Sequence, residues 1–128
     1  MKNFTLIIGA VYGMLSVILG AFGAHAFKKV LSLERLTSFE TGVKYQMYHA
    51  LLLLIIGFFF KFDTGTEKWA SWCIILGVFL FSFSIYFLSF QEVLGVNLKF
   101  LGPITPIGGL LMIVGWALLI SYFFKSKI

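Results

Sequence analysis

The sequence predicts an all-α integral membrane protein, an antiparallel bundle of four transmembrane helices. Of its 128 residues, 60% are hydrophobic and 12% are charged, and the mean hydropathy is +1.01. A soluble domain carries about 25% charged residues, so this chain lacks the polar surface that water requires. The charges separate four apolar blocks, each close to the roughly 20 residues that cross a bilayer core. These blocks are Phe4–Phe27, Tyr45–Phe62, Trp69–Phe90 and Leu101–Phe124.

Local signals refine these blocks into helices over residues 3–27, 38–60, 67–90 and 103–124 of a single domain, residues 1–128. A capping residue stands at the predicted start of three of them. The three patterns are Thr37 with Glu40, Thr64 with Glu67, and Thr105 before Pro106, and Pro103 is the alternative start of the fourth helix. Glu40 also precedes Lys44 by four residues, the favourable order for a helical ion pair. The loops between the helices are short, so consecutive helices are expected to be antiparallel neighbours.

The end of the first block, "GAFGAHAF", permits two interpretations. Ala24-His25-Ala26 has the form of a signal-peptidase site. However, a signal peptide has an apolar core of roughly 7–15 residues, and the apolar run from Thr5 to Ala24 is longer. We therefore interpret residues 1–27 as the first transmembrane helix. The single cysteine, Cys73, excludes an intrachain disulfide and is interpreted as a small hydrophobe.

The basic residues give little indication of orientation, because four helices distribute them evenly between the two sides of the membrane. One side carries Lys2, Lys61, Lys68, Lys125 and Lys127; the other carries Lys28, Lys29, Arg35, Lys44 and Lys99. Pairing of Lys44 with Glu40 favours a cell membrane protein with both termini in the cytoplasm. Insertion in both orientations is the alternative.

Polar residues concentrate in the half of the bilayer that contains the first loop. His25 lies near the end of the first helix and His49 early in the second, so antiparallel helices bring them to one side. A polar group that faces lipid without a partner costs several kcal/mol, on the order of a lost hydrogen bond or more. These groups are therefore predicted to face one another, in a hydrogen-bonded cluster or a water-filled cleft with His25 at the depth of His49. The predicted lining is His25, Thr41, Lys44, Tyr45, Gln46, Tyr48, His49, Ser82, Tyr86 and Thr105.

Three motifs, in this order and spacing, identify a resemblance that covers nearly the whole chain. They are G-A-x-G-A-H-A from Gly20, T-G-x-x-Y-Q-x-Y-H-A from Thr41 and T-P-x-G-G from Thr105. The chain resembles the YwdK/YgdD-type small bacterial membrane proteins, a family of unknown function related to the eukaryotic transmembrane protein 256 group. The resemblance implies an integral membrane protein of four helices, and it implies no particular activity.

The residues favour binding or a membrane-structural role over the other classes of function. Basic residues lie at helix ends, where lipid headgroups attract them, and no basic run indicates nucleic acid. No acidic residue lies in an apolar helix to orient a catalytic histidine, so no enzyme, metal site or cofactor is predicted. We expect a half-depth polar cleft that binds lipid, another amphiphile or a membrane partner. Lys28, Lys29 and Arg35 are predicted to contact anionic headgroups.

Three alternatives remain at this stage. The size and helix number are similar to those of small transporters and channels that function as dimers, so a homo-oligomer is one expected partner. Two histidines are also the minimum for bis-histidine haem ligation, and a lipid-modifying enzyme is the last alternative.

Overall fold

Four helices of membrane-spanning length make up most of the protein. In the computed structural model, which describes residues 1–125, α1 spans Lys2–His25 and α2 spans Leu33–Phe59. The third span, Gly65–Ser89, consists of α3 (Gly65–Val78), a π-helical segment (Phe79–Phe83) and α4 (Ser84–Ser89). After the single-turn helix α5 (Gln91–Leu94), α6 runs from Ile104 to Lys125. The predicted fold class is confirmed, because the described residues form helices and connecting turns only.

The helices form two antiparallel hairpins, α1 with α2 and the third span with α6. The third span also packs against α2, which joins the hairpins, whereas the backbones of α2 and α6 remain apart. An apolar core fills the half of the bundle nearer the termini, around Leu53, Ile74 and Phe60. A smaller cluster around Phe39 and Tyr86 closes the half nearer the first loop. The separation of α2 from α6 leaves a valley on one face of the molecule.

Glycines explain why the helices within each hairpin approach so closely. A Cβ atom on Gly9 would lie 3.2 Å from the carbonyl oxygen of Ala50 in α2. In the other hairpin, a Cβ atom on Gly108 would lie 2.8 Å from the carbonyl oxygen of Gly77. Both contacts are with backbone atoms, which cannot move aside as a side chain can. These small residues of α1 and α6 therefore serve packing within the bundle.

Of the three predicted N-caps, one is confirmed and two are wrong. Thr64 caps α3, accepting a hydrogen bond from the Glu67 amide while Glu67 bonds back to Thr64. By contrast, α2 begins at Leu33 rather than near residue 38, with Ser32 as its N-cap. Thr37 lies inside this helix and donates to the carbonyl oxygen of Leu33, so it is not a cap. The N-cap is Ser32, which lies five residues before Thr37 in the sequence.

The start of α6 is Ile104, so Thr105 lies within the helix and not at its N-cap, and the alternative start at Pro103 is the better prediction. The expected helical ion pair is also absent: in the part of the chain that the structure describes, no salt bridge joins Glu40 to Lys44.

The two ends of the described chain lie on the same side of the bundle. The Lys2 ammonium group donates to the carbonyl oxygens of Phe58 and Phe60, at 2.9 and 3.1 Å, where α2 ends. The ring of Tyr122, near the end of α6, lies 4.7 Å from that of Phe60. We call this side of the bundle the terminal side and the other the first-loop side. Lys127, assigned to the terminal side from the sequence, lies outside the described residues.

Candidate functional site

The buried polar residues of the first-loop half form a hydrogen-bonded network centred on Gln46, whose side chain is fully buried. Its amide nitrogen donates to the Tyr12 carbonyl oxygen in α1 at 2.9 Å. Its amide oxygen accepts a hydrogen bond from the Tyr86 hydroxyl in α4 at 2.6 Å. One side chain of α2 therefore links three helices. Of the two arrangements expected from the sequence, the hydrogen-bonded cluster is present here.

Two serines near the π-helical segment extend the network in opposite directions. Ser82 donates to the Gly42 carbonyl oxygen in α2 at 2.8 Å. The Ser84 hydroxyl lies 2.5 Å from that of Thr105, which attaches the third span to α6. Within residues 1–125, every buried side-chain nitrogen and oxygen atom has a partner. The interior network therefore has no unused polar atom with which to hold a ligand.

His49 closes the network between α2 and α6. Its Nε2 accepts a hydrogen bond from the Trp116 indole at 3.0 Å, and its Nδ1 lies 2.7 Å from the Tyr45 carbonyl oxygen. An indole can only donate, so Nε2 is the acceptor and the proton of the neutral ring is on Nδ1. The prediction that His49 reaches polar groups of another helix is confirmed. The sequence does not predict Trp116 as its partner, because a lone tryptophan in an apolar helix carries no polar pattern.

His25 does not join this network, and the prediction that it faces inward at the depth of His49 is wrong. Its side chain is exposed at the end of α1. Nearby Gly23 packs against Phe39, which lies ten residues before His49 on α2. At about 1.5 Å per residue, the two histidines are therefore roughly 15 Å apart along the bundle axis. A haem iron ligated by both histidines of one chain does not fit this geometry.

Four of the predicted lining residues lie on the outside of the bundle instead. Tyr45 is 42% exposed and Tyr48 is 57% exposed, while Lys44 is also exposed and Thr41 is half-buried. Together with Thr37 and Glu40, they recur at the spacing of one helical face. We call this surface, residues 37, 40, 41, 44, 45 and 48, the outer polar face of α2.

An apolar groove continues this face of α2 toward the terminal side. It has a volume of about 370 Å³ and lies in the valley between α2 and α6. The His49–Trp116 pair bounds it near mid-membrane, and the contact of Phe60 with Tyr122 bounds it at the other end. We call this cavity the α2/α6 groove. Its lining residues are Leu52, Ile55, Ile56, Phe59, Phe60, Trp116, Leu119, Ile120 and Phe123.

Polar contacts also occur in the terminal half, although polar residues concentrate in the half that contains the first loop. The hydroxyls of Thr5 and Ser71 lie 2.7 Å apart, and the Tyr12 hydroxyl donates to the Ile75 carbonyl oxygen at 2.9 Å. The buried carboxylate of Glu67 accepts hydrogen bonds from the amides of Lys61 and Phe62. Thr5, Tyr12 and Ser71 each stand alone among apolar neighbours, so the sequence offered no polar cluster there to recognise, whereas Glu67 belongs to the capping pattern with Thr64.

The predicted headgroup contacts lie on the first-loop side, in two different environments. Lys28 and Lys29 are exposed in a short 3₁₀ turn after α1. The guanidinium group of Arg35 instead holds one carboxylate oxygen of Glu92 at 2.6 Å from Nη2 and 3.0 Å from Nε. This hydrogen bond lowers the pKa of Glu92 below its ordinary value. Arg35 therefore ties the start of α2 to α5.

Comparisons with known proteins give a consistent picture. Residues 19–109 match the family described as "Protein of unknown function (DUF423)". The UPF0382 membrane protein of Staphylococcus haemolyticus is 46% identical over 125 residues, which cover 98% of each chain. The UPF0382 membrane proteins of Staphylococcus aureus and Staphylococcus saprophyticus are 44% and 41% identical, with 98% or more of each chain covered. No solved structure matches the chain.

Proposed function

This chain belongs to the DUF423 family of membrane proteins, and we propose that it binds lipid in the α2/α6 groove. The groove supports the proposal because its lining is apolar apart from the Trp116 indole nitrogen, which is bonded to His49. It runs along α2 from Leu52 to Phe60, about 12 Å at 1.5 Å per residue, close to the roughly 15 Å thickness of one leaflet's hydrocarbon. An acyl chain of a terminal-side lipid fits this length.

Positive charge at the mouth of the groove favours an anionic headgroup. Lys61 directly follows Phe60, and Lys125 lies two residues after Phe123, both of which line the groove. Their exposed ammonium groups would contact a phosphate at the membrane surface. This position differs from the headgroup site that we expected at Lys28, Lys29 and Arg35. Those residues lie on the opposite side of the bundle from the mouth of the groove.

Lipid retention tests the proposal. The double variant Ile55→Phe/Ile120→Phe places a ring on each wall of the groove, and Ile113→Phe is the matched control. Ile113 is 65% exposed and lies on α6 outside the groove lining, whereas Ile120 is 59% exposed. Native mass spectrometry of protein extracted gently into detergent measures the bound lipid. We expect the double variant to lose at least half of its retained phospholipid and Ile113→Phe to retain it; equal retention by both would refute the proposal.

We further propose that the protein lies in the cell membrane with both termini in the cytoplasm. Two of the five basic residues on the first-loop side support this orientation. Arg35 is paired with Glu92, and Lys44 lies more than two turns inside α2, so neither is an ordinary surface charge. Reporter fusions at each terminus test the proposal. Activity of a periplasmic reporter at either end would contradict it, and mixed signals at both ends would indicate dual insertion.

A further inference from the structure

A second cavity lies on the terminal side of the bundle, next to the mouth of the α2/α6 groove. It has a volume of about 240 Å³ and lies between the start of α3 and the end of α6. The ring of Tyr122 links the two cavities, because it packs on Phe60, which lines the groove, and itself lines the second cavity. We call this second cavity the terminal pocket. Its lining residues are Thr64, Thr66, Tyr122 and Lys125.

The terminal pocket lies at the depth of lipid headgroups. Trp69, in the second turn of α3, is 66% exposed, and exposed tryptophans on spanning helices mark the interface between membrane and water. Thr66 precedes Trp69 by three residues, so it lies about 4.5 Å further from the hydrocarbon. Lys125, at the end of α6, is exposed at the same side. A lipid whose acyl chain lies in the α2/α6 groove therefore carries its headgroup past Tyr122 to this pocket.

The polar groups of the terminal pocket are three hydroxyls and one ammonium group. Within residues 1–125, the hydroxyls of Thr66 and Tyr122 form no hydrogen bond, so each is available to donate and to accept. The Thr64 hydroxyl donates to the Glu67 carboxylate and accepts from the Glu67 amide, which leaves it one acceptor site. The Lys125 ammonium group suits a phosphate, and the hydroxyls suit a partner that both donates and accepts hydrogen bonds.

Among the described residues, no carboxylate lines the terminal pocket to receive an ammonium group. Glu67 is buried, and its carboxylate already accepts four hydrogen bonds from the loop before α3. Asp63 is exposed and lies outside the lining. The ammonium group of an ethanolamine headgroup would therefore lie near that of Lys125 without a carboxylate to offset the repulsion. A neutral, hydroxylated headgroup avoids this repulsion.

We propose that the terminal pocket selects the headgroup of the lipid in the α2/α6 groove, and that it takes a phosphodiester ending in a neutral polyol, as in phosphatidylglycerol. Lys125 contacts the phosphate, and the hydroxyls of Thr66 and Tyr122 bond those of the glycerol. This selection rests on the lipid-binding proposal. It adds the recognition of hydroxyl groups to the recognition of negative charge at the mouth of the groove.

Competition among three lipids with identical acyl chains tests the selection. Phosphatidylglycerol, phosphatidylmethanol and phosphatidylethanolamine are added in equal amounts to the purified protein in detergent, and native mass spectrometry measures each bound lipid. Phosphatidylmethanol carries the charge of phosphatidylglycerol without its hydroxyls. We expect phosphatidylglycerol to exceed phosphatidylmethanol about fivefold, the effect of one net hydrogen bond, and phosphatidylethanolamine to bind least. Equal binding of the first two lipids, or preference for the third, would overturn the inference and leave the lipid-binding proposal intact.

Two variants locate the selection in the terminal pocket. Thr66→Val/Tyr122→Phe removes two hydroxyls with little change in volume, and Tyr45→Phe is the matched control, at an exposed tyrosine outside both cavities. The ratio of phosphatidylglycerol to phosphatidylmethanol should fall to about one in the double variant and stay unchanged in the control. Lys125→Gln should instead reduce both anionic lipids and preserve their ratio. An unchanged ratio in the double variant would overturn the inference, whereas wild-type protein without bound lipid would overturn the lipid-binding proposal and the inference with it.

Discussion

The buried bond between Gln46 and Tyr86 makes a quantitative prediction for stability. Gln46→Leu leaves the Tyr86 hydroxyl, in a side chain that is 8% exposed, without a partner. An unsatisfied buried hydroxyl costs about 1–3 kcal/mol, and a lost interhelical bond in a membrane protein costs about 0.6 kcal/mol. The hydrogen bond to the Tyr12 carbonyl oxygen is lost as well, so we expect Gln46→Leu to destabilise the protein by about 3 kcal/mol. Tyr86→Phe leaves only the Gln46 oxygen unsatisfied and should cost about 2 kcal/mol.

The double variant Gln46→Leu/Tyr86→Phe distinguishes a hydrogen bond from simple packing. It leaves neither partner unsatisfied, and the Tyr12 carbonyl oxygen still accepts from the Ser16 hydroxyl. We therefore expect a total cost of about 2 kcal/mol, well below the sum of roughly 5 kcal/mol from the single variants. The measurement is the free energy of reversible unfolding in mixed micelles titrated with sodium dodecyl sulfate. Costs that add within about 0.5 kcal/mol would refute the reasoning.

Three further predictions concern helix packing, a loop and pH. Gly108→Ala should destabilise the protein by about 1–3 kcal/mol, because the added Cβ atom meets backbone atoms of the third span. Gly109→Ala should be nearly neutral in the same unfolding assay, because its Cβ atom lies 3.6 Å from the flexible ring of Phe81. Glu67→Gln should cost about 2 kcal/mol by weakening charge-assisted bonds to the loop amides, measured by unfolding or by faster proteolysis of that loop. The Arg35 hydrogen bond lowers the pKa of Glu92. The stabilisation from this ion pair is therefore present above the ordinary carboxyl pKa and is lost as the pH falls through the lowered pKa. We expect the acid-induced decrease in the free energy of unfolding to be smaller in Glu92→Gln.

The sequence predicted the four spans because apolar runs of this length have few alternatives in water or in lipid. It also predicted the α3 cap, where Thr64 and Glu67 form a local pattern that does not depend on the rest of the fold. Depth was harder to predict. A depth counted from Lys44, as if it stood at the edge of the membrane, places His49 too near that edge, because a lysine several residues inside the hydrocarbon can extend its ammonium group outward. That error placed His25 beside His49.

Helix rotation explains the remaining differences. In α2, six of the nine residues from Thr41 to His49 are polar or aromatic, so the pattern alone does not say which side faces inward. The structure turns Gln46 and His49 toward the bundle and Tyr45 and Tyr48 away from it. The partner of His49 depends in turn on the rotation of α6, a helix with apolar residues on all sides. Tertiary packing sets both rotations, and a single sequence does not encode them in its periodicity.

The two sets of polar residues on α2 therefore have different physical roles. Gln46 and His49 are fully used by their neighbours, so substitutions there should alter stability first and function only as a consequence. Within the described residues, Tyr48 and Lys44 make no hydrogen bond or salt bridge, yet more than half of the Tyr48 side chain is exposed on a membrane-spanning helix, where contact of its hydroxyl with hydrocarbon is costly. Tyr48→Phe should accordingly stabilise the protein in the same micelle unfolding assay. A loss of stability in this variant would show that the hydroxyl has a partner within its own chain.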